Sequence, residues 1–224
     1  MIIDFHAHVL PGCDHGSSGR EVSKKQLEYA AKSGVDIVCA TSHFYPDREN
    51  LEDFLERRDW CYQLLNEARG MVNESPKVLR GAEILACMGL DRIPGLEKLC
   101  LEGTNLLLIE MPFVRWPRHL VEMMEAMSCK KEFQPVLAHA DRYDAADVER
   151  VLDMGIPVQL NVENLSGLMI KKHIKEWIAN DMVVAIGSDI HGTDIGYKKW
   201  DKARAKLKGD WERIMARTND LLGI

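Results

Sequence analysis

Nowhere among the 224 residues is there a run of the roughly 18 apolar positions needed to span a bilayer. A secretory signal is missing as well, because Asp4, His6 and His8 interrupt the apolar start. The six cysteines (Cys13, Cys39, Cys61, Cys87, Cys100 and Cys129) lack the paired spacing of structural zinc or iron–sulfur sites. Without export they read as reduced thiols, and a cytoplasmic location is expected. No cysteine has an arginine six positions further on, and Cys13 to Arg20 is one residue too long. A thiolate loop that cradles phosphate is therefore excluded. Walker, GxGxxG and GxSxG signatures are absent, which removes the nucleotide loops and the serine-hydrolase elbow. Positive charge is also short, since the formal net charge is −6. The cluster Lys198, Lys199, Lys202, Arg204, Lys206 and Lys208 has acidic flanks and reads as a solvated helix face, so no nucleic-acid partner is expected. Linkers, repeats and low-complexity tracts are missing too, and residues 1–224 read as a single domain.

What the chain does contain is an alternation of short β-rich runs and amphipathic stretches. Hydrophobic residues make up 46% of it and charged residues 29%, enough for a sizeable core and an ordinary soluble surface. Candidate strands cover 1–5, 35–40, 77–80, 105–109, 135–138, 157–162 and 182–186, and helices cover 20–33, 49–69, 117–130, 144–154, 167–180 and 198–222. This order predicts an α/β fold of seven βα units closing a parallel barrel, whose working groups sit at the carboxyl ends of the strands. Metal-binding residue types fall at those ends. His6 and His8 follow the first strand, His43 the second, Glu83 the third, Glu110 the fourth, His139 the fifth, and Asp189 and His191 the seventh. The sixth offers only Asn161.

Side chains two apart on a strand point the same way, so His6 and His8 can grip one cation together, and Asp189 with His191 repeats the geometry. Imidazoles and carboxylates without thiolate pairs suit catalytic manganese, iron or zinc. The donors are too many for one ion and fit a cluster of two or three, the arrangement that activates water against a phosphoester. Arg142, three residues after His139, is placed to neutralise a phosphate, with Arg48 and Arg115 as weaker loop candidates. His119 and His173 lie within helical patterns outside this register, and Met123, Met124 and Met127 read as core filling.

On the stretches "IDFHAHVLPGCDHG", "VDIVCATSHFY", "RGAEI", "LLLIEMP", "PVLAHADRYDA", "VQLN" and "AIGSDIHG", the sequence resembles the polymerase and histidinol phosphatase (PHP) family nearly end to end. Within it, the chain resembles the bacterial metal-dependent tyrosine-protein phosphatases encoded with capsule and exopolysaccharide genes. The resemblance implies a distorted (β/α)7 TIM-like barrel with a trinuclear site. One ion would be held by His6, His8, Glu83 and Asp189, a second by Glu83, Glu110 and His139, and a third by His15, His43 and His191. It further implies that Arg142 holds the phosphate, that Mn2+ is the activating metal, and that the substrate is the phosphotyrosine tail of a bacterial tyrosine kinase. Two departures stand out. His15 replaces the aspartate usual in "DDG", and no arginine follows Asp189-Ile190-His191, where only Lys198 and Lys199 are near. The alternative activity is a PHP-type phosphatase of small molecules such as histidinol phosphate or a nucleotide.

Overall fold

A computed structural model describes residues 1–192 and 195–224, the side chain of Ile195 apart. Among the described residues, nine strands run in parallel: β1 (Ile3–Ala7), β2 (Ile37–Ala40), β3 (His43–Phe44), β4 (Lys77–Arg80), β5 (Glu83–Leu85), β6 (Leu106–Glu110), β7 (Gln134–Leu137), β8 (Val158–Asn161) and β9 (Val183–Gly187). They form two ladders, β1-β2-β4 and β3-β5-β6-β7-β8-β9. β3 continues the line of β2, and β5 that of β4. The Gly81 N–H to Ala40 carbonyl bond (2.9 Å) and the Glu83 N–H to Ser42 carbonyl bond (3.0 Å) carry the ladder across both interruptions. At the far edge the Asp189 N–H donates to the His6 carbonyl (2.7 Å) and the His8 N–H to the Ile190 carbonyl (3.3 Å). These bonds join β9 to β1 and close the two ladders into one ring of seven staves, the (β/α)7 arrangement expected from the alternation.

The expected strands recur with their ends shifted by a residue or two; the continuations β3 and β5 are additional, too short to show a period. Outside the ring lie α1 (Arg20–Lys32), α2 (Leu51–Arg69), α3 (Arg118–Ser128), α4 (Ala145–Asp153), α5 (Val162–Ser166), α6 (Lys172–Ala179), α7 (Ile195–Leu207) and α8 (Gly209–Leu222). Two expected helices are corrected. The stretch 167–180 holds helix only from Lys172, and 198–222 breaks at Lys208, whose φ of 51° no right-handed helix accepts. The break folds α8 back so that Trp200 and Trp211 meet edge-on at 4.9 Å, both fully buried. One continuous helix would hold those rings about three turns apart. Among the described residues, no helix is long and apolar enough to cross a membrane.

A small apolar cluster that includes Ile3, Phe5, Ile37, Leu106 and Val136 fills the ring, with Leu222 of α8 packed against it. The larger core lies between strands and helices. One irregularity matters for function. In the β1–β2 register Asp4 pairs with Val38 but Ala7 pairs with Ala40, so β1 carries one extra residue, a bulge. Before it, Ile3 and Phe5 face the interior while Asp4 faces out, accepting a hydrogen bond from Tyr197 of α7 (2.8 Å). Beyond it, Ala7 joins the outer core, and His6 and His8 turn inward to meet Glu83.

Candidate metal centre

Each strand-end residue singled out above reaches the mouth of the ring at the carboxyl side. His6 comes from β1 and His8 directly follows it, His43 comes from β3, Glu83 from β5 and Glu110 from the last residue of β6. His139 directly follows the described end of β7 by two residues, and Asp189 and His191 follow β9. His139 and Asp189 hold left-handed backbone, with φ of 32° and 49°. Such strain in residues other than glycine collects at functional sites, where the surrounding fold holds it in place.

Glu83 is the hub. Its Oε2 lies 3.2 Å from Nε2 of both His6 and His8 and 3.0 Å from Nδ1 of His43, while Oε1 is 2.8 Å from Nε2 of His139. Asp189 Oδ1 stands 3.6 Å from His6 Nε2 and 3.3 Å from His8 Nε2. The two histidine Nε2 atoms are themselves only 3.1 Å apart. Their other nitrogens are committed as donors, His6 Nδ1 to Gln159 Oε1 (3.2 Å) and His8 Nδ1 to Asp14 Oδ2 (2.8 Å). In the neutral rings both Nε2 atoms therefore present lone pairs to one point, beside two carboxylate oxygens. A shared proton satisfies one pair of these acceptors; a divalent cation satisfies all four. Glu83 Oε2 and His191 Nε2 are buried without a hydrogen-bond partner, as open ligand positions would be. The donor set therefore fits metal. Among the described residues, three groups of donor atoms converge within 4.8 Å: His6, His8 and Asp189; His43, Glu83 and Glu110; and His8, His43 and His191.

These groups differ in part from the grouping that the resemblance implies. His43 joins Glu83 and Glu110, while His139 touches the same carboxylates from the side, at 2.8 Å and 3.6 Å. His8 takes the third place beside His43 and His191. His15 is exposed and belongs to none of the three; its ring stacks on His43 at 4.6 Å and on His191 at 4.8 Å. Arg142 Nη2 pairs with Asp189 Oδ2 at 2.7 Å and lies 3.8 Å from Glu163, with a third of its side chain exposed. Lys199 also pairs with Glu163, so it shares a carboxylate with Arg142. Thr193 and Asp194, in the stretch without arginine, lie outside the described residues. Arg48 stacks over Tyr45 at 4.6 Å, and Arg115 lines a groove beside the cluster.

Sequence reasoning gave no role to Asp14 or Gln159. Asp14 accepts from His8 Nδ1, from the His43 backbone N–H (3.0 Å) and from the Gly16 backbone N–H (2.9 Å), so one carboxylate orients the His8 imidazole and fixes the backbone that carries His43. Gln159 Oε1 takes the His139 N–H (2.8 Å) as well as His6, and its amide donates to Asn161 Oδ1 (2.8 Å). Asn161 in turn donates to Asp189 Oδ2 (2.8 Å). A fully buried glutamine in the apolar run of β8 was the available signal, since a buried amide needs partners. Orienting partners of this kind govern metal affinity by about 10–100-fold. Asp14→Ala is accordingly expected to weaken divalent-metal binding by about that factor, with circular dichroism unchanged, and unaltered affinity in a metal titration would exclude the role.

The electrostatics call for added positive charge. Burial opposes ionising Glu83, yet the charge of His6 and the contact with His139 hold it well below the usual carboxylate range. Asp189 is likewise depressed, against burial, by His6, His8 and Arg142. Burial also opposes charging His8, but Asp14, Asp189 and Glu83 push it well above the ordinary imidazole value. Burial and the Glu83 charge raise Glu110 to about 7, and burial lowers His43 to about 3. Metal-free, the cluster keeps Glu83 and Asp189 ionised by charging His6 and His8, the task a cation takes over when bound.

A closed parallel βα barrel with a buried imidazole–carboxylate cluster at the carboxyl ends of its strands has the layout of a metal-dependent barrel enzyme. Residues 2–217 match the family described as capsular polysaccharide synthesis, CpsB/CapC, and the chain belongs to that family. It is 26% identical over 213 residues to the tyrosine-protein phosphatase CpsB of Streptococcus pneumoniae, covering 86% of this chain and 84% of that one. Its fold matches a chain from the crystal structures of the metal-dependent tyrosine phosphatases YwqE of Bacillus subtilis and CpsB of Streptococcus pneumoniae. That match has a TM-score of 0.80 at 21% identity, over 99% of this chain and 94% of the other. An uncharacterised protein shares the fold more distantly, with a TM-score of 0.56 at 11% identity over 99% of this chain and 74% of its own.

Proposed function

We propose that this chain is a metal-dependent phosphomonoester hydrolase that removes phosphate from tyrosine in a protein, in the control of capsular polysaccharide synthesis. The observation that carries the reading is the convergence of His6 Nε2, His8 Nε2, Glu83 Oε2 and Asp189 Oδ1 on one point. Membership of the CpsB/CapC family and the similarity to a tyrosine-protein phosphatase support the substrate class. His6, His8, Glu83 and Asp189 would hold one ion, Glu83 and Glu110 with His43 or His139 a second, and His43 and His191 a third with His8 or His15. Manganese suits these hard and intermediate donors, and iron and zinc accept them too. Bound at such a site, divalent cations supply Lewis-acid activation of water and neutralise phosphoryl oxygens.

The chain's own residues do the rest. Arg142 spends one nitrogen on Asp189 and keeps further N–H donors in its planar fork for phosphate oxygens. Asp14 and Gln159 hold the imidazoles of His8 and His6 in the tautomer that leaves Nε2 bare. Residues 1–224 then act as one domain, in the cytoplasm, on the phosphorylated tail of a tyrosine kinase. The test is turnover of a phosphotyrosine peptide, histidinol phosphate and a nucleoside monophosphate by one preparation loaded in turn with manganese, iron and zinc. The peptide is expected to be the preferred substrate, with manganese giving the highest rate. Robust turnover of a small phosphate with none of the peptide would replace this reading with a small-molecule phosphatase.

A further inference from the structure

Beside the cluster runs a groove of about 630 Å³, within the size range of ligand sites, and none of the cluster's donors lines it. Its connection to the cluster is through Arg142, which lines the groove and binds Asp189, and through Phe113, whose ring lies nearly parallel to His139 at 5.7 Å. Phe113 is 61% exposed and its neighbour Val114 68% exposed. A floppy loop would explain such exposure, but this segment is pinned at both ends. The Met111 N–H donates to the Tyr143 hydroxyl (2.9 Å), the Trp116 N–H to Asp147 (3.3 Å), and the Trp116 indole to the Pro112 carbonyl (3.2 Å). The loop therefore holds an aromatic face outward at the edge of the metal centre, with His139 and Tyr143 stacked behind it. Asp144 and Asp147 also line the groove, but Asp147 is paired with Arg150 at 3.0 Å, and Arg115 adds positive charge on its wall.

We propose that this groove receives the leaving group of the substrate, and that Phe113 is the specificity-determining residue that stacks on its aromatic ring. Arg115 then meets an acidic side chain flanking the phosphorylated residue. A flat ring gains an offset stack on Phe113, and an alkyl phosphate gains none. The inference rests on the proposed phosphotyrosine hydrolase activity and adds how the site selects an aryl ester.

The test uses the full metal-loaded chain and two peptides of one sequence, carrying phosphotyrosine or phosphoserine, beside a third carrying a non-hydrolysable aryl phosphonate. Phe113→Ala is expected to lower the phosphotyrosine-to-phosphoserine ratio of kcat/KM by about tenfold, and to weaken aryl phosphonate binding by a similar factor. Phe113→Tyr, which keeps the ring, should restore both. An unchanged ratio, or an equal loss on both peptides, would overturn the platform, because the residue would then act only through His139. The two readings fail separately. If the wild type binds the aryl phosphonate in a Phe113-dependent way without hydrolysing the phosphotyrosine peptide, the enzymatic reading falls and the platform stands. If it hydrolyses the peptide equally well after Phe113→Ala, the platform falls alone.

Discussion

Glu83→Gln is expected to abolish metal loading and to lower kcat/KM by about 1,000-fold or more, with the fold retained. The substitution keeps the shape of the side chain and removes the one charge that faces His6, His8, His43 and His139 together. An amide oxygen is a weaker ligand, and its NH2 would point a donor at imidazoles already crowded around the same oxygen. A 1,000-fold loss corresponds to about 4 kcal/mol, within the several kcal/mol that metal-ion stabilisation of a developing phosphoryl charge contributes. Metal content by mass spectrometry and turnover should fall together. Glu102→Gln is the control: that carboxylate is half exposed, pairs with Arg80 and lies away from the cluster, so its loss should cost under about 1 kcal/mol and no activity. Near-normal metal content after Glu83→Gln would remove this residue from the centre.

The second large effect is expected at Gly187, the last residue of β9. A Cβ there would lie 2.4 Å from the His6 Cβ and 3.0 Å from the His6 backbone nitrogen, with Gln159 Nε2 at 2.9 Å. Two of the three neighbours are a backbone atom and a Cβ, which cannot rotate away. Gly187→Ala must therefore push β9 from β1 and strain the Asp189–His6 backbone bond that closes the ring. Overpacking of this kind costs about 2–3 kcal/mol, or roughly 5–10 °C in Tm for a chain of this size. Metal binding should fall with it, since His6 and Asp189 both sit on the displaced segments. Gly209→Ala, at the first residue of α8 where the added carbon meets nothing within 4 Å, should not lower Tm. A Gly187→Ala chain melting at the wild-type temperature with full metal content would contradict the close approach.

The strand order and the strand-end register were legible because both depend on local pattern. Apolar runs of the β type stand out against amphipathic helices, and polar residues of metal-binding type at their ends are easily seen. The break at Lys208 was not legible, because no proline marks it and only the contact of Trp200 with Trp211 rewards it. Asp14 and Gln159 escaped because an orienting residue is defined by the atom it faces. His8 and Asp14 are near in sequence, but Gln159 meets His6 across the ring.

By itself, then, the sequence determined the alternation of β and α units, the spacing that lets His6 and His8 act together, and the lack of a cysteine–arginine phosphate loop. Tertiary structure decided which way that pair faces. Strict alternation in β1 would place His6 and His8 on the side of Asp4, outside the ring; one extra residue between Asp4 and Ala7 turns them inward onto Glu83. It also decided that donor atoms of His8 lie close to those of His43 and His191 while the His15 ring stacks on both, and that Phe113 stands exposed beside His139. The physical reason is common to all three. A side chain's partners are set by ladder register and by loops anchored on distant strands, and neither leaves a periodic trace in the chain.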